Sequence, residues 1–288
     1  MKQLLILSGK GGTGKTTIAS AFIKLAKARA YADCDVDAPN LHLIMSHEEM
    51  MKKDYYGMPK AVIDNSMCME CGICMEHCKF DAITLDVAYK VDPFACEGCG
   101  VCEYVCPVKA ITLQPEVAGE LNLYVNDAVF STARLKMGSG TSGLLVTEVK
   151  RQMLDNSKDV ELAIIDGSPG IGCPVIASLS GVDMVLIVAE PSMSGISDME
   201  RIIRTAKYFN TETLLCINKY DTNKDISKKI IDFCLRENIP YVGSIPFDDK
   251  VLEATNDGKS IADIACPSKE AVIEVFRKTM ALLDKNND

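Results

Sequence analysis

The sequence predicts an α/β protein: a mostly parallel sheet with helices on both faces, interrupted once by a small α+β insertion. Three observations predict it. Short apolar runs ending in glycine or an acid alternate with stretches of helical spacing, as in βα units that feed a parallel sheet. The pattern "GKGGTGKT" at residues 9–16 lies where the first run meets the first helix, which is the context a phosphate loop requires. Eight of the thirteen cysteines crowd into residues 68–106, too dense a block for a buried parallel sheet.

Composition narrows the class. A net charge of −9 gives no electrostatic case for nucleic acid or an anionic membrane as the main partner. The first strand starts at Lys2, which leaves no room for an export signal, and the longest apolar runs are too short to span a bilayer. With a nucleotide loop and no export signal, the cysteines are expected in the reducing cytosol and not in disulfides.

Element by element, "KQLLILS" at 2–8 reads as a strand buried on both faces. Residues 16–28 follow as a helix, with Ile18, Phe22 and Leu25 on one face. "RAYADCD" is a second strand closing in acids, and 41–51 is expected to be helical. Beyond the cysteine block, strands are expected at 121–125, 161–166, 183–189, 213–218 and 241–245, with helices near 143–154, 197–209, 227–238 and 269–283. The last helix carries Val272, Val275, Phe276, Met280 and Leu283 without a basic polar face, so it is expected to pack on the sheet and not on a membrane. These assignments give a discontinuous P-loop NTPase domain at 1–59 and 119–288, with an inserted domain at 60–118.

The insertion is a duplication. "CMECGICMEHCKFDAITL" recurs as "CEGCGVCEYVCPVKAITL" 28 residues on, at every cysteine: 68/96, 71/99, 74/102 and 78/106. Each copy has the C-x2-C-x2-C-x3-C spacing of bacterial ferredoxins, in which three cysteines hold one [4Fe–4S] cube and the fourth reaches the neighbouring cube. The assignment is therefore Cys68, Cys71, Cys74 and Cys106 for one cluster, and Cys78, Cys96, Cys99 and Cys102 for the other. Gly72 and Gly100 fit where backbone passes close to inorganic sulfide. Met67, Met69 and Met75 are expected to supply a polarizable apolar shell. Zinc knuckles are the competing reading, but two C-x2-C pairs would satisfy zinc without the fourth cysteine of each copy. Pro107 follows the second copy's last cysteine whereas Lys79 stands in the first, and a looser turn is expected after Cys78.

The phosphate loop assigns the nucleotide site. Amides of Gly11, Gly12, Thr13, Gly14 and Lys15 can converge on phosphates at a helix N-terminus. Lys15 is expected to reach the β- and γ-phosphates of ATP, Thr16 to bind Mg²⁺, and Thr17 to reach the α-phosphate. Asp33, Asp35 and Asp37 in "DCDVD" can face a metal-bound or attacking water. Asp166, at the end of an apolar strand, joins Thr16 and Asp35 in the expected Mg²⁺ set, with Gly167 and Gly170 giving mobility for a γ-phosphate sensor. Asn218 in "INKYD" is placed to read adenine, and Pro246 and Phe247 in "IPFDD" to close over the base.

Through "KGGTGKT", "DCDVDAPNL", "DGSPGIG", "AEPSMSGISDMERI" and "INKYD", the chain outside 60–118 resembles the MinD/ParA/Mrp group of deviant Walker ATPases, which includes the nitrogenase iron protein. With the cysteine block it resembles the subfamily carrying an inserted ferredoxin domain. The resemblance implies a SIMIBI-type fold, ATP hydrolysis with Lys10, Lys15 and Asp35 as catalytic residues, and ATP-dependent pairing as a homodimer or with a related ATPase. It also implies that the second loop lysine, Lys10, reaches the partner's nucleotide; the alternative is that Lys10 lies over its own chain's phosphates.

Of the remaining cysteines, Cys34 alternates with the aspartates and should point away from the nucleotide, while Cys216 and Cys234 read as core and Cys266 carries no signal. Cys173 is either a dimer-interface metal ligand or the helix start before Pro174. Three functions follow: ATP-gated electron transfer to a redox or metallocofactor-bearing protein during metal-centre assembly, a Mrp-like metal or cluster carrier, or a MinD-like positioning ATPase with structural clusters.

Overall fold

A computed structural model of the chain describes residues 1–45 and 51–285. The elements run β1 (Lys2–Leu7), α1 (Lys15–Ala26), β2 (Ala30–Asp33), β3 (Met51–Tyr56), β4 (Lys60–Ile63), α2 (Ile73–Glu76), β5 (Ile83–Leu85), β6 (Tyr89–Val91) and α3 (Val101–Val105). After these come β7 (Ile111–Gln114), β8 (Val117–Val125), β9 (Val129–Leu135), α4 (Ser142–Asn156), β10 (Leu162–Asp166), α5 (Cys173–Leu179), β11 (Met184–Ala189) and α6 (Met193–Tyr208). The chain closes with β12 (Glu212–Asn218), α7 (Lys224–Arg236), β13 (Tyr241–Ile245), α8 (Asp249–Asn256) and α9 (Pro267–Lys285).

One nine-stranded sheet has the order β13-β12-β11-β1-β10-β2-β9-β8-β3. It is parallel from β13 through β9, and β8 and β3 are antiparallel. Strands buried on both faces explain the unbroken apolar runs. Leu5 and Leu7 of β1 enter a core with α4 to α7, whereas Leu4 and Ile6 enter one with α1 and α9. On the second face Phe22 meets Phe276 edge-on at 5.1 Å, so α9 packs against the protein as its apolar stripe requires. Among the described residues no helix is long and apolar enough to cross a membrane.

One expectation fails at the sheet's antiparallel end. The helix expected at 41–51 is a single 3-10 turn, Leu41–Leu43, and part of that span, 46–50, lies outside the described residues. Met51 already opens β3, whose six residues are exposed but for Tyr55. Such a polar edge strand carries no apolar signal, and its Lys52, paired with Glu120 at 2.7 Å, blunts an otherwise open edge. The strand Val129–Leu135 was also absent from the sequence reading. Its Ser131 and Thr132 dilute the pattern, and it is held by hairpin pairing with β8 and parallel pairing with β2.

Residues 57–116 leave the sheet between β3 and β8 and form two small sheets, β4 with β7 and β5 with β6. The 28-residue period survives in three dimensions. Ile63 pairs with Ile111 and Ile83 with Val91; Asp64 N–H donates to Ala110 O and Asp92 N–H to Ala82 O, both at 2.7 Å. These are crosswise contacts between equivalent positions, so the two copies are related by an internal pseudo-two-fold. The repeat thus begins at "VID" and "KVD", before the first cysteines of each copy.

Candidate functional site

At the end of β1 the chain turns through Gly12 (φ 79) and Gly14 (φ 90) before α1 begins at Lys15. Both glycines occupy the left-handed region that side chains resist. At Gly14 a Cβ would also collide with the Asn218 amide. That amide donates to Thr13 O at 2.7 Å, and its Oδ1 accepts from Lys219 N–H at 3.0 Å. Asn218, expected to read adenine, therefore braces the loop as well as lining the cleft. Lys219 sits at φ 55 and donates from Nζ to Gly12 O at 2.8 Å.

The loop opens on a cleft of about 970 Å³, lined by Lys10 to Thr17, Asp35, Asp37, Ser168, Asn218, Pro246 and Phe247 among others. At its floor Lys15 Nζ lies 2.5 Å from Asp166 Oδ1, and Thr16 Oγ1 donates to Asp166 Oδ2 at 2.6 Å. Lys15 is 5 % exposed and Asp166 0 %, so this pair is out of water. Burial opposes the Lys15 charge, but Asp166, Asp33 and Asp35 outweigh it and hold the ammonium above its ordinary value. Asp35, at the cleft wall, is raised chiefly by burial, against the pull of Lys15. Thr13 Oγ1 is buried without a protein partner among the described residues, as a donor reserved for a ligand would be. These residues fit a nucleotide triphosphate and its Mg²⁺: amides, a buried cation, a hydroxyl and carboxylates converge on one concave floor.

Asp33 does not face the cleft as expected. Its carboxylate accepts from the amides of Asp35, Asn40 and Leu41 at 3.0 Å each, which staples the loop carrying Asp35. Burial, reinforced by Asp166 and opposed by Lys15, pushes it up to about 7. Cys34 points into the opposite core with Val146 and Val149, and its carbonyl accepts from Ser168 Oγ, tying the two loops that flank the cleft.

Lys10 stands at the rim. Its Nζ lies 3.0 Å from Glu190 Oε2 and donates to Ser192 Oγ at 3.2 Å; Glu190 Oε1 also takes Lys219 at 3.4 Å. Burial works to raise the Glu190 carboxyl, yet hydrogen bonds and charge from Lys10 and Lys219 hold it below its usual range. The sequence reading missed Glu190 and Lys219 as rim residues, although "AEPS" and "INKYD" both end apolar strands at this edge. Phe247 N–H donates to Asp221 Oδ1 at 2.8 Å, and Pro246 O accepts from Ser268 Oγ at 3.0 Å, which fixes this side of the cleft.

The insertion presents two small cavities. One is lined by Cys68, Cys71, Cys74 and Cys106, with Ile63, Tyr89 and Ile111. The other is lined by Cys78, Cys96, Cys99 and Cys102, with Ala61, Glu97 and Leu113. Each cavity gathers one quartet, with the fourth cysteine drawn from the other copy. Gly72 and Gly100 carry φ 78 and 77 at the starts of α2 and α3. The amides of Ala82 and Ala110 donate to Cys78 and Cys106 Sγ at 3.4 and 3.3 Å. Asp81 and Lys109 share φ values of 51 and 54. The turn after Cys78 is therefore the same as that after Cys106, and Lys79 does not loosen it. Met67, Met69 and Met75 stand exposed and do not form an inner shell. Among the described residues no three His, Cys, Asp or Glu side chains form a group that could hold a single metal ion. Cys173, exposed, opens α5 with Pro174 in the first turn. Cys216, Cys234 and Cys266 are buried.

This is the fold and floor of a P-loop nucleotide-binding protein. The model of the CobQ/CobB/MinD/ParA nucleotide binding domain family matches residues 4–261, and the chain belongs to that family. It is 33% identical over 286 residues to an uncharacterized protein of Methanocaldococcus jannaschii, covering 96% of this chain and 95% of that one. An iron-sulfur cluster carrier protein of the same organism is 21% identical over 293 residues, covering 96% and 83%. MinD complexed with Mg-ADP from Pyrococcus horikoshii OT3 shares the fold at a TM-score of 0.58 and 16% identity, covering 98% and 96%.

Proposed function

We propose that the chain is an ATP-hydrolysing dimerisation switch whose nucleotide state governs two [4Fe–4S] clusters held by the cysteine quartets. Its task is electron transfer to a protein that carries, assembles or matures a metal centre. One observation carries the cluster half of the reading: each quartet assigned from the cysteine spacing lines its own cavity, with the fourth member from the opposite copy. Four thiols are the donor set that iron–sulfur cubes take, and a cluster bound there would supply one-electron chemistry.

For the ATPase half, Lys15 and the loop amides hold the phosphates, and Thr16, Asp35 and Asp166 are the residues that would hold Mg²⁺, which screens phosphate charge when bound. Asp35 orients the attacking water. Lys10 leaves Glu190 and Ser192 to meet charge developing on the partner's γ-phosphate, in the way an arginine finger does. Hydrolysis removes that anchor and releases the pair.

The test is anaerobic purification with iron and sulfide analysis, followed by sizing with a non-hydrolysable ATP analogue. The native chain should carry two clusters and pair on nucleotide. Lys10→Ala should bind nucleotide but neither pair nor turn over. Iron-free, monomeric native protein would sink the reading. A Mrp-like carrier is the second reading, favoured by the cluster carrier relative and by the exposed Cys173 at the start of α5. It predicts iron lost to an apo-acceptor and a Cys173→Ser variant that cannot transfer it; electron gating predicts a reduction potential that moves with MgATP while iron stays bound.

A further inference from the structure

The two cysteine quartets are not equivalent in their relation to the nucleotide. The first cavity takes its lining from Ile63 and Ile111, at the ends of β4 and β7 remote from the main sheet. The second takes Ala61 and Leu113, nearer the sheet. Beside it Lys60 Nζ donates to Cys96 O at 2.5 Å, and a Cβ on Gly98 would collide with Pro59 O. The second quartet is the one seated against the nucleotide-binding half.

A single segment, residues 135–143, reaches the residues that flank Cys96 of that quartet, the loop bearing Asp35, and the start of α5. It begins where Leu135 N–H donates to Val36 O at 2.9 Å, inside the loop bearing Asp35 and Asp37, and Lys136 N–H donates to Ala118 O at 2.8 Å. Gly138 (φ 81) packs on Phe94, so closely that a Cβ would come within 2.9 Å of the ring. Gly140 (φ 66) faces the Glu97 carboxylate, 3.9 Å from a Cβ placed there. Phe94 and Glu97 bracket Cys96 in the chain. The segment ends at Gly143, where a Cβ would sit 3.1 Å from Cys173 Cβ, at the start of α5 directly after the 167–172 loop. The segment is anchored at Val36 and against Cys173 and rests on the insertion through surface contacts, Phe94 being 73 % exposed, so a shift at either anchor reaches Phe94 and Glu97 through this one stretch of chain.

Loops that contact a γ-phosphate are the parts of such proteins that take two positions. We propose that residues 135–143 are a coupling strap that makes the second quartet, Cys78, Cys96, Cys99 and Cys102, responsive to bound nucleotide while the first quartet stays indifferent. This rests on the nucleotide and cluster assignments above and adds which cluster site is gated and by what route. Coupling is reciprocal, so occupancy or redox change at the second quartet alters nucleotide affinity, and change at the first does not.

Amide hydrogen exchange on the full, anaerobically purified chain reads this without any activity assay. The probe is a non-hydrolysable ATP analogue with Mg²⁺, and the internal control is the repeat itself: residues 94–102 against their counterparts 66–74. Nucleotide should slow exchange in the phosphate loop and, by about tenfold, in 94–102, with 66–74 unchanged. Phe94→Ala removes the ring without straining the strap, and Gly138→Val wedges the contact open. Both should keep phosphate-loop protection and lose the response at 94–102. Equal responses in the two repeats, no response at 94–102 beside a protected phosphate loop, or a response that persists in Phe94→Ala would each overturn the strap. An unprotected phosphate loop would overturn the nucleotide assignment and the strap with it, whereas an iron-free chain showing the expected exchange pattern would overturn only the cluster assignment.

Discussion

In the main sheet, the side chains of the cleft are positioned by a core buried on both faces of the parallel strands. In the cysteine unit, the buried cluster is Ala61, Cys74, Ala82, Ile83, Tyr89, Cys96 and Ile111, and two of those seven are ligand candidates. The first region builds its site on packing that exists before any ligand arrives. The second has too little apolar mass to hold four strands of three or four residues and two short helices by itself, as expected of any unit near 60 residues without a metal or a disulfide. The difference teaches that nucleotide binding needs only the folded sheet, whereas a cysteine unit holding the proposed clusters would form together with them.

Stripping iron should therefore break the comparison most visibly. We expect amide protection across 60–114 to collapse on chelation, while the far-UV signal and melting temperature of the helix-covered sheet stay nearly unchanged. Retained protection in the stripped unit would mean its small core suffices. Next in size, Lys15→Ala should cut ATP turnover by about a thousandfold and, by leaving Asp166 buried without its cation, lower stability by about 3 kcal/mol. Iron content should be unaffected, which turnover, denaturant melts and iron analysis together would check. The smallest effect concerns Asp33. Its folded value of about 7 lies above the ordinary 3.8, so the folded chain keeps a proton that the unfolded chain releases. That contribution is whole below the ordinary value and lost as pH rises through the folded one. Stability of the sheet should decline between about pH 4 and about pH 7, and Asp33→Asn should flatten the decline in thermal melts followed by circular dichroism.

How much of this was legible in the sequence follows from the kind of signal each part leaves. The phosphate loop was readable because its chemistry demands fixed residue types at fixed spacing, and the grouping of the cysteines about two cavities because the 28-residue repeat fixes it. The parallel strands were readable because burial on both faces writes unbroken apolar runs such as "MVLIVA". β3 was not, since a solvated edge strand obeys its neighbour's hydrogen bonds and not hydrophobicity. Asp33 looked like a cleft residue because spacing along a strand end does not say whether a carboxylate turns outward or back onto its own loop. Glu190 was missed for a related reason: its role depends on Lys10 and Lys219, which come from two other strand ends and meet it only in the fold.

The strands that flank the cysteine unit, β3 and β8, are hydrogen-bonded partners whose last pair is Tyr56 and Val117. Viewed from the sheet, the sixty residues of the cysteine unit are therefore the tip of one oversized hairpin. A lineage could gain or shed such a cassette at that tip without re-threading a single strand, and an engineer could exchange it for a tight turn or another redox module on the same terms.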